Sequence, residues 1–259
     1  MRNFLKIFLL SLISVNAHAF TLNNSATLVF AQDEVKVNVA NITCTNIGID
    51  IHELKSIAAD AVDQYWNRSP TSRLKLRVGN IISVAAAYGT DLICLAGTSC
   101  DPNPALAVAS DILITCNTNA ANFSSSGVLA VTVPNNISGK TIIGSVIMLN
   151  DLATNQFKNS SRAEKVSIIA HELGHTFGLG HSPVKDSLMY YATVNMRQSL
   201  GEDDIDGITY LYPKQQPMTC GTISEKNNPN SWLGLLLGFG MITLLSKFQL
   251  RYLKLRPRA

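Results

Sequence analysis

The chain has 259 residues, is 46% hydrophobic and carries a formal charge of +3 at pH 7. That charge sits at the ends: the first 19 and last 13 residues hold seven of the 21 Lys and Arg, which leaves 14 against all 18 acids between them, about −4. With no basic face and no internal repeat, a nucleic-acid binder and a repeat array are excluded, and residues 20–213 suffice for one domain with a full hydrophobic core.

Met1 to Ala19 has a basic start (Arg2, Lys6), an apolar run from Ile7 to Val15, and Ala17-His18-Ala19. This predicts a secretory leader with a small-x-small cleavage site and a mature chain beginning near Phe20. The run is too short to span a bilayer well. Export would permit disulfides among the five cysteines. Cys94 and Cys100, with Gly, Thr and Ser between them, are the first candidate pair. Cys44 with Cys116 is a second, which spacing alone does not fix, and Cys220 is left over. None sits in a C-x-x-C zinc pattern.

Glu34 to Asn41 alternates apolar and polar, which predicts a strand. Ile51 to Trp66 repeats apolar residues at helical spacing after a cap at Asp50, and Pro70 closes that helix. His52, in its first turn, is isolated and reads as a surface residue. Strands follow at Arg73 to Val78, Asp111 to Cys116, Gly127 to Val133 (ended by Pro134) and Thr141 to Leu149.

From Ser161 the apolar spacing is again helical and runs into His171-Glu172-Leu173-Gly174-His175-Thr176-Phe177-Gly178-Leu179-Gly180-His181. Helix geometry puts His171 and His175 one turn apart on one face, where both can offer a nitrogen to one metal ion at about 2.0–2.1 Å. Glu172 projects about 100° away from His171, which misses the ion but reaches solvent beside it. Gly178 permits a left-handed exit from the helix, and that exit brings His181 back as third ligand. Three protein ligands leave one position for solvent, the mark of a catalytic zinc site. Three of the chain's five histidines lie in this stretch.

This H-E-x-x-H-x-x-G-x-x-H run, Ser182 after it, Ser187-Leu188-Met189-Tyr190, and Gly201 to Ile208 leading to Tyr210-Leu211-Tyr212 resemble the metzincin metallopeptidases, and among them the matrixins. The resemblance is close over about residues 160–213. It implies an α/β (α+β) fold: a twisted, five-stranded, mostly parallel sheet with about three helices and the metal helix at a cleft. It makes Glu172 the catalytic acid-base, His171, His175 and His181 the zinc ligands, and Met189 the apolar floor of a Met-turn. It makes Gly178 the exit turn and Asp204 the support of the Met-turn backbone, with Asp203 and Asp206 left to solvent. Gly127, Val128, Leu129, Ala130, Val131, Thr132 and Val133 correspond to the cleft-rim strand that takes a peptide as an added strand.

Four departures stand out. Tyr191 lies where matrixins often have Pro; Ser-x-Met-x-Tyr resembles astacins and serralysins, so Tyr191 is either a zinc or transition-state contact or a pocket wall. Matrixins commonly hold a second, structural zinc on histidines, but this chain has no His from 53 to 170, so that site is expected to be absent. Calcium has no clear ligand set beyond Asn150 and Asp151, which read first as a satisfied turn. No cysteine switch is present either.

After Pro213 the composition shifts. Residues 214–231 read as a polar linker, 232–246 as an uncharged apolar segment and 247–259 as a basic tail. A helix over the apolar segment would span only about 21 Å against a hydrocarbon core of about 30 Å. A membrane anchor with the domain facing out, a sorting tail removed after export, and a peripheral amphipathic helix all remain open. The expectation is an exported or envelope-anchored zinc endopeptidase, monomeric, acting on peptide or protein substrates. The alternative is an inactive metzincin-like protein that binds peptide or metal.

Overall fold

Alternating and continuous apolar runs build a sheet with apolar clusters on both faces, its central strands buried on both. The computed structural model describes residues 20–24, 27–94, 103–125, 127–192 and 197–214. They fall in one unit, Met1–Gln215; the second unit, Gln216–Ala259, lies outside the described residues. So do the expected leader, Cys100, Cys220, the linker beyond Lys214, the apolar segment and the basic tail. No helix among the described residues is long and apolar enough to cross a membrane.

The described strands are β1 (Val29–Phe30), β2 (Glu34–Ala40), β3 (Lys75–Ile82), β4 (Asp111–Asn117), β5 (Ala130–Ser138) and β6 (Thr141–Asn150). They form one sheet ordered β1-β6-β4-β2-β3, all parallel, with β5 added antiparallel to β6. The sheet therefore has six strands rather than the expected five: Val29–Phe30 is too short for its periodicity to show. The fold is otherwise the expected mixed α/β one with a mostly parallel sheet.

A second correction concerns β5. It begins at Ala130, three residues after the expected start at Gly127, and runs through Pro134 to Ser138. Pro lacks an amide donor, but the register shifts between Val133 and Asn136, so no ladder bond is asked of Pro134.

Helix α1 (Ile51–Gln64) starts where Asp50 accepts the His52 amide at 2.8 Å. It ends at Gln64, followed by a 3₁₀ turn over Trp66–Arg68, so the chain has left the α-helix before Pro70. Helix α2 (Arg162–Thr176) carries a reciprocal cap: Ser161 Oγ accepts the Glu164 amide, and the Glu164 carboxylate accepts the Ser161 amide. Helix α3 (Glu202–Leu211) opens with Glu202, Asp203 and Asp204 at its positive end.

Pleat alternation splits the core. Ile112, Ile114 and Cys116 of β4 face the helices, with Leu54, Ile57, Ile169 and Leu173. Leu113 faces the other way, toward Tyr88, Leu106, Phe123 and Met148. On the helical side a disulfide joins Cys44 to Cys116, the second candidate pair. Cys94 is also disulfide-bonded. Its expected partner Cys100 is outside the described residues.

Candidate metal centre

Helix α2 brings the pair His171 and His175 to the cleft, and the chain beyond it is bent to return His181. The helix ends at Thr176 and Gly178 has φ +114°, a conformation side-chain-bearing residues rarely adopt. A Cβ there would also lie 2.6 Å from the Leu28 carbonyl oxygen. The turn is then held by residues at the start of the described chain. Leu22 bridges Leu179, the Asn23 amide donates to Gly178 O at 2.9 Å, and the Gly180 amide donates to Thr21 O at 2.8 Å. The Thr21 hydroxyl donates to the His181 carbonyl. Sequence reading missed these roles of residues 21–23, since an irregular segment has no periodic signal.

The three imidazoles converge, with one ring nitrogen from each all within 4.8 Å of one another. Nε2 of His175 and Nε2 of His181 are 3.3 Å apart. The outer nitrogens are already committed: Nδ1–H of His171 donates to Leu188 O and Nδ1–H of His175 to Leu179 O, both at 2.7 Å. That pattern fixes the tautomer and leaves both Nε2 lone pairs facing inward, as metal ligation requires. Burial, with the neighbouring His171 as second cause, pushes His175 well below the usual imidazole range and lowers His181. Neutral imidazoles are the ligand form. The donor set fits a tetrahedral transition metal with one open position.

Met189 is buried in the helix-side core, against Gly174 of the histidine helix. A Cβ at Gly174 would overlap the Met189 sulfur and come within 2.8 Å of the Trp66 ring, so this helical Gly gives the close approach its room. Asp204 holds the Met-turn. Its Oδ1 accepts from Ser187 Oγ and the Met189 amide, and its Oδ2 accepts the Leu188 amide at 2.6 Å and the Gly201 amide at 2.8 Å. Asp203 corrects the sequence expectation. It is buried rather than solvated, and accepts from the Ser182 hydroxyl next to His181. Asp206 is exposed.

Glu172 is buried beside the histidines, and the Thr132 hydroxyl donates to its Oε2 at 2.6 Å. Burial raises the Glu172 carboxyl pKa; the charge on His171 and the Thr132 bond oppose that rise. Thr132 was expected only as part of the rim strand. Its tie to Glu172 spans 40 residues of sequence and leaves no local trace.

These groups share one cavity of about 580 Å³. All of Gly127 to Thr132 lines it, whereas the Val133 side chain packs in the opposite core. Among the described strands β5 pairs only with β6, so its other edge is unpaired. Tyr191 is 64% exposed on the wall, its ring 4.6 Å from that of Tyr190. A side-chain hydrogen bond donated to Tyr191 is the main cause raising the Tyr190 phenol, with burial second. Arg197, which the sequence reading did not single out, lines the cavity too. Asn150 and Asp151 make a satisfied turn: Asp151 Oδ1 accepts the Asn46 and Ile47 amides at 2.9 Å, and Asn150 donates to Val128 O at 2.7 Å. His52 is exposed in the first turn of α1.

Known proteins are similar to this chain over short stretches. Metalloendoproteinase 2-MMP of Arabidopsis thaliana is 48% identical over 48 residues, 18% of this chain and 13% of that protein. Stromelysin-2 of Rattus norvegicus is 49% identical over 49 residues, 17% and 10% respectively. Matrilysin of the same animal is 46% identical over 54 residues, 20% of each. The chain therefore spans a fifth or less of the length of these relatives. A family model described as matrixin matches much more, residues 13–213, through the sheet, the histidine helix and the Met-turn. On that match, the chain belongs to the matrixin family.

Proposed function

We propose that the protein is a zinc-dependent endopeptidase acting on polypeptides outside the cytoplasm. The observation that carries this reading is the convergence of three imidazoles, with inward-facing Nε2 atoms on His175 and His181, beside a buried carboxylate in a cavity edged by an unpaired strand. Zinc held by His171, His175 and His181 would supply Lewis acidity, polarising the scissile carbonyl and acidifying a water molecule.

The rest falls to the chain. The free edge of β5 takes the substrate backbone as an added antiparallel strand, which aligns a peptide with little demand on its sequence. Thr132 fixes Oε2 of Glu172 and leaves Oε1 to receive the proton of the attacking water. Glu172 then returns that proton to the leaving nitrogen. Burial raises its pKa, which makes it a stronger base than a solvated carboxylate. The Tyr191 phenol on the cavity wall is the candidate donor to the developing oxyanion; Tyr191→Phe should lower kcat with zinc content unchanged. The Cys44–Cys116 disulfide favours an oxidising compartment.

The test is casein or a peptide library, with and without chelator, read by mass spectrometry. Wild type should cleave and chelator should stop it. Glu172→Gln should keep one zinc per chain and lose cleavage. Retained cleavage in that variant overturns the role of Glu172. Zinc-loaded wild type that binds peptides without cutting them would favour the binding-protein alternative.

A further inference from the structure

The cavity has a polar feature that the hydrolytic groups do not use. Arg197 lines it, yet Nε and Nη2 of its guanidinium are buried without a hydrogen-bond partner. Those two nitrogens lie on the same edge of the group, the edge whose two N–H bonds match the oxygens of one carboxylate side-on. Leaving buried cationic donors unpaired is strongly unfavourable. A side chain kept in that condition on the wall of a substrate cavity points to an acceptor that arrives with the substrate.

The residue is held in place rather than loosely parked. The Tyr65 hydroxyl at the end of α1 donates to the Arg197 carbonyl, and the guanidinium carbon sits 5.9 Å from the centre of the Tyr190 ring. None of the ion pairs among the described residues involves Arg197. The sequence from 187 to 201 contains no acid. Two carboxylates share the cavity, but Glu172 is bonded to Thr132, and Glu164 is spent on the α2 cap, whose bonds lower its pKa. Ile168, Leu188 and Ala192 add apolar wall to the same cavity.

We propose that Arg197 is a specificity-determining residue that receives a substrate carboxylate through a two-bond, side-on pair. The carboxylate is that of an Asp or Glu close to the scissile bond, or of the peptide's own C-terminus. This rests on the peptidase reading above. It makes the enzyme selective for a carboxylate beside the cut, that of an acidic side chain in endopeptidase action or that of the chain end in release of C-terminal residues, whereas β5 reads only backbone.

Peptides that differ only in Glu, Gln or Leu at each position around the cut, each as C-terminal acid and amide, test it. At one position Glu should exceed Gln in kcat/KM by about tenfold or more, the effect of one charge-assisted hydrogen bond. Arg197→Gln should bring that ratio within about twofold, and Arg197→Lys should restore only part of it, since a point charge lacks the fork. If the acid-to-amide change carries the whole effect, the carboxylate is the terminal one. A preference for Leu over Glu at every position with no acid-to-amide effect, or a ratio indifferent to Arg197→Gln, overturns the proposal while the peptidase reading stands. If nothing is cleaved, the peptidase reading fails. Binding of the same peptides to Glu172→Gln, by fluorescence anisotropy, then reads Arg197 separately, and equal affinity for carboxylate and amide forms would overturn it. Zinc content and the thermal midpoint of each Arg197 variant confirm that it folds.

Discussion

The Thr132 hydroxyl on β5 donates to Oε2 of Glu172 on α2 at 2.6 Å, so the strand at the cavity rim also orients the acid beside the metal site. The same hydroxyl reaches the Glu172 carbonyl at 3.2 Å. Thr132→Val keeps the shape and β-propensity and removes only the hydroxyl. One neutral-to-charged bond of this kind contributes about 1.5–3 kcal/mol, so kcat should fall about tenfold or more with KM within about twofold. Steady-state kinetics on a single peptide check it. An equal rise in KM with kcat intact would mean that Thr132 acts on substrate rather than on Glu172.

Gly178 sets the return of His181. At φ +114°, with a would-be Cβ only 2.6 Å from Leu28 O, Ala there meets both backbone strain and main-chain overlap. Gly178→Ala should destabilise the fold by about 2–3 kcal/mol and lower zinc occupancy, because the displaced residue is two positions from Gly180 and three from His181. Urea unfolding together with metal analysis of the purified variant measures both. Unchanged midpoint and stoichiometric zinc would show that the turn tolerates a Cβ.

Much of this centre is local and therefore legible in the sequence. His171, Glu172 and His175 are fixed by helical spacing, Ser161 by its cap, and the turn by Gly178. The run Asp111 to Cys116 shows continuous apolar character because β4 is buried on both faces. What escaped detection was either too short or too distant. Two residues, Val29–Phe30, make a strand only because β6 pairs with them. Pro134 reads as a stop unless the bulge that excuses it is known. Thr132 to Glu172, Tyr65 to Arg197 and Ser182 to Asp203 are contacts between separate elements, and nothing at either end announces the other.

Asp204 illustrates how such contacts reach the metal. Its carboxylate gathers Ser187, Leu188, Met189 and Gly201, and the Leu188 carbonyl in turn accepts from Nδ1 of His171. Asp204→Asn replaces one oxygen by an NH₂, and whichever oxygen it replaces, the NH₂ faces at least one backbone amide that has no lone pair to offer. The variant should lose about 3 kcal/mol of stability and bind zinc about 10-fold to 100-fold more weakly, as supporting partners of ligand histidines do. Denaturation of the zinc-loaded protein reads the first, and competition with a chromogenic chelator the second. Normal zinc affinity in a destabilised variant would separate the Met-turn from the centre.

The Cys44–Cys116 bond closes a loop of 72 residues that contains all of α1 and β3. Cross-linking a loop of that length restricts the unfolded chain by about 4 kcal/mol in the chain-entropy account. Both cysteines are fully buried in the helix-side core, where Ala at each leaves a small, dry gap rather than an unpaired polar group. The double variant Cys44→Ala, Cys116→Ala should therefore retain zinc and cleavage at low temperature but unfold at a urea midpoint lowered in proportion. Wild type with thiol added should move at least that far, because reduction releases this constraint together with the disulfide of Cys94. If the double variant matches oxidised wild type, the β2–β4 pairing holds this end of the sheet without the covalent tie.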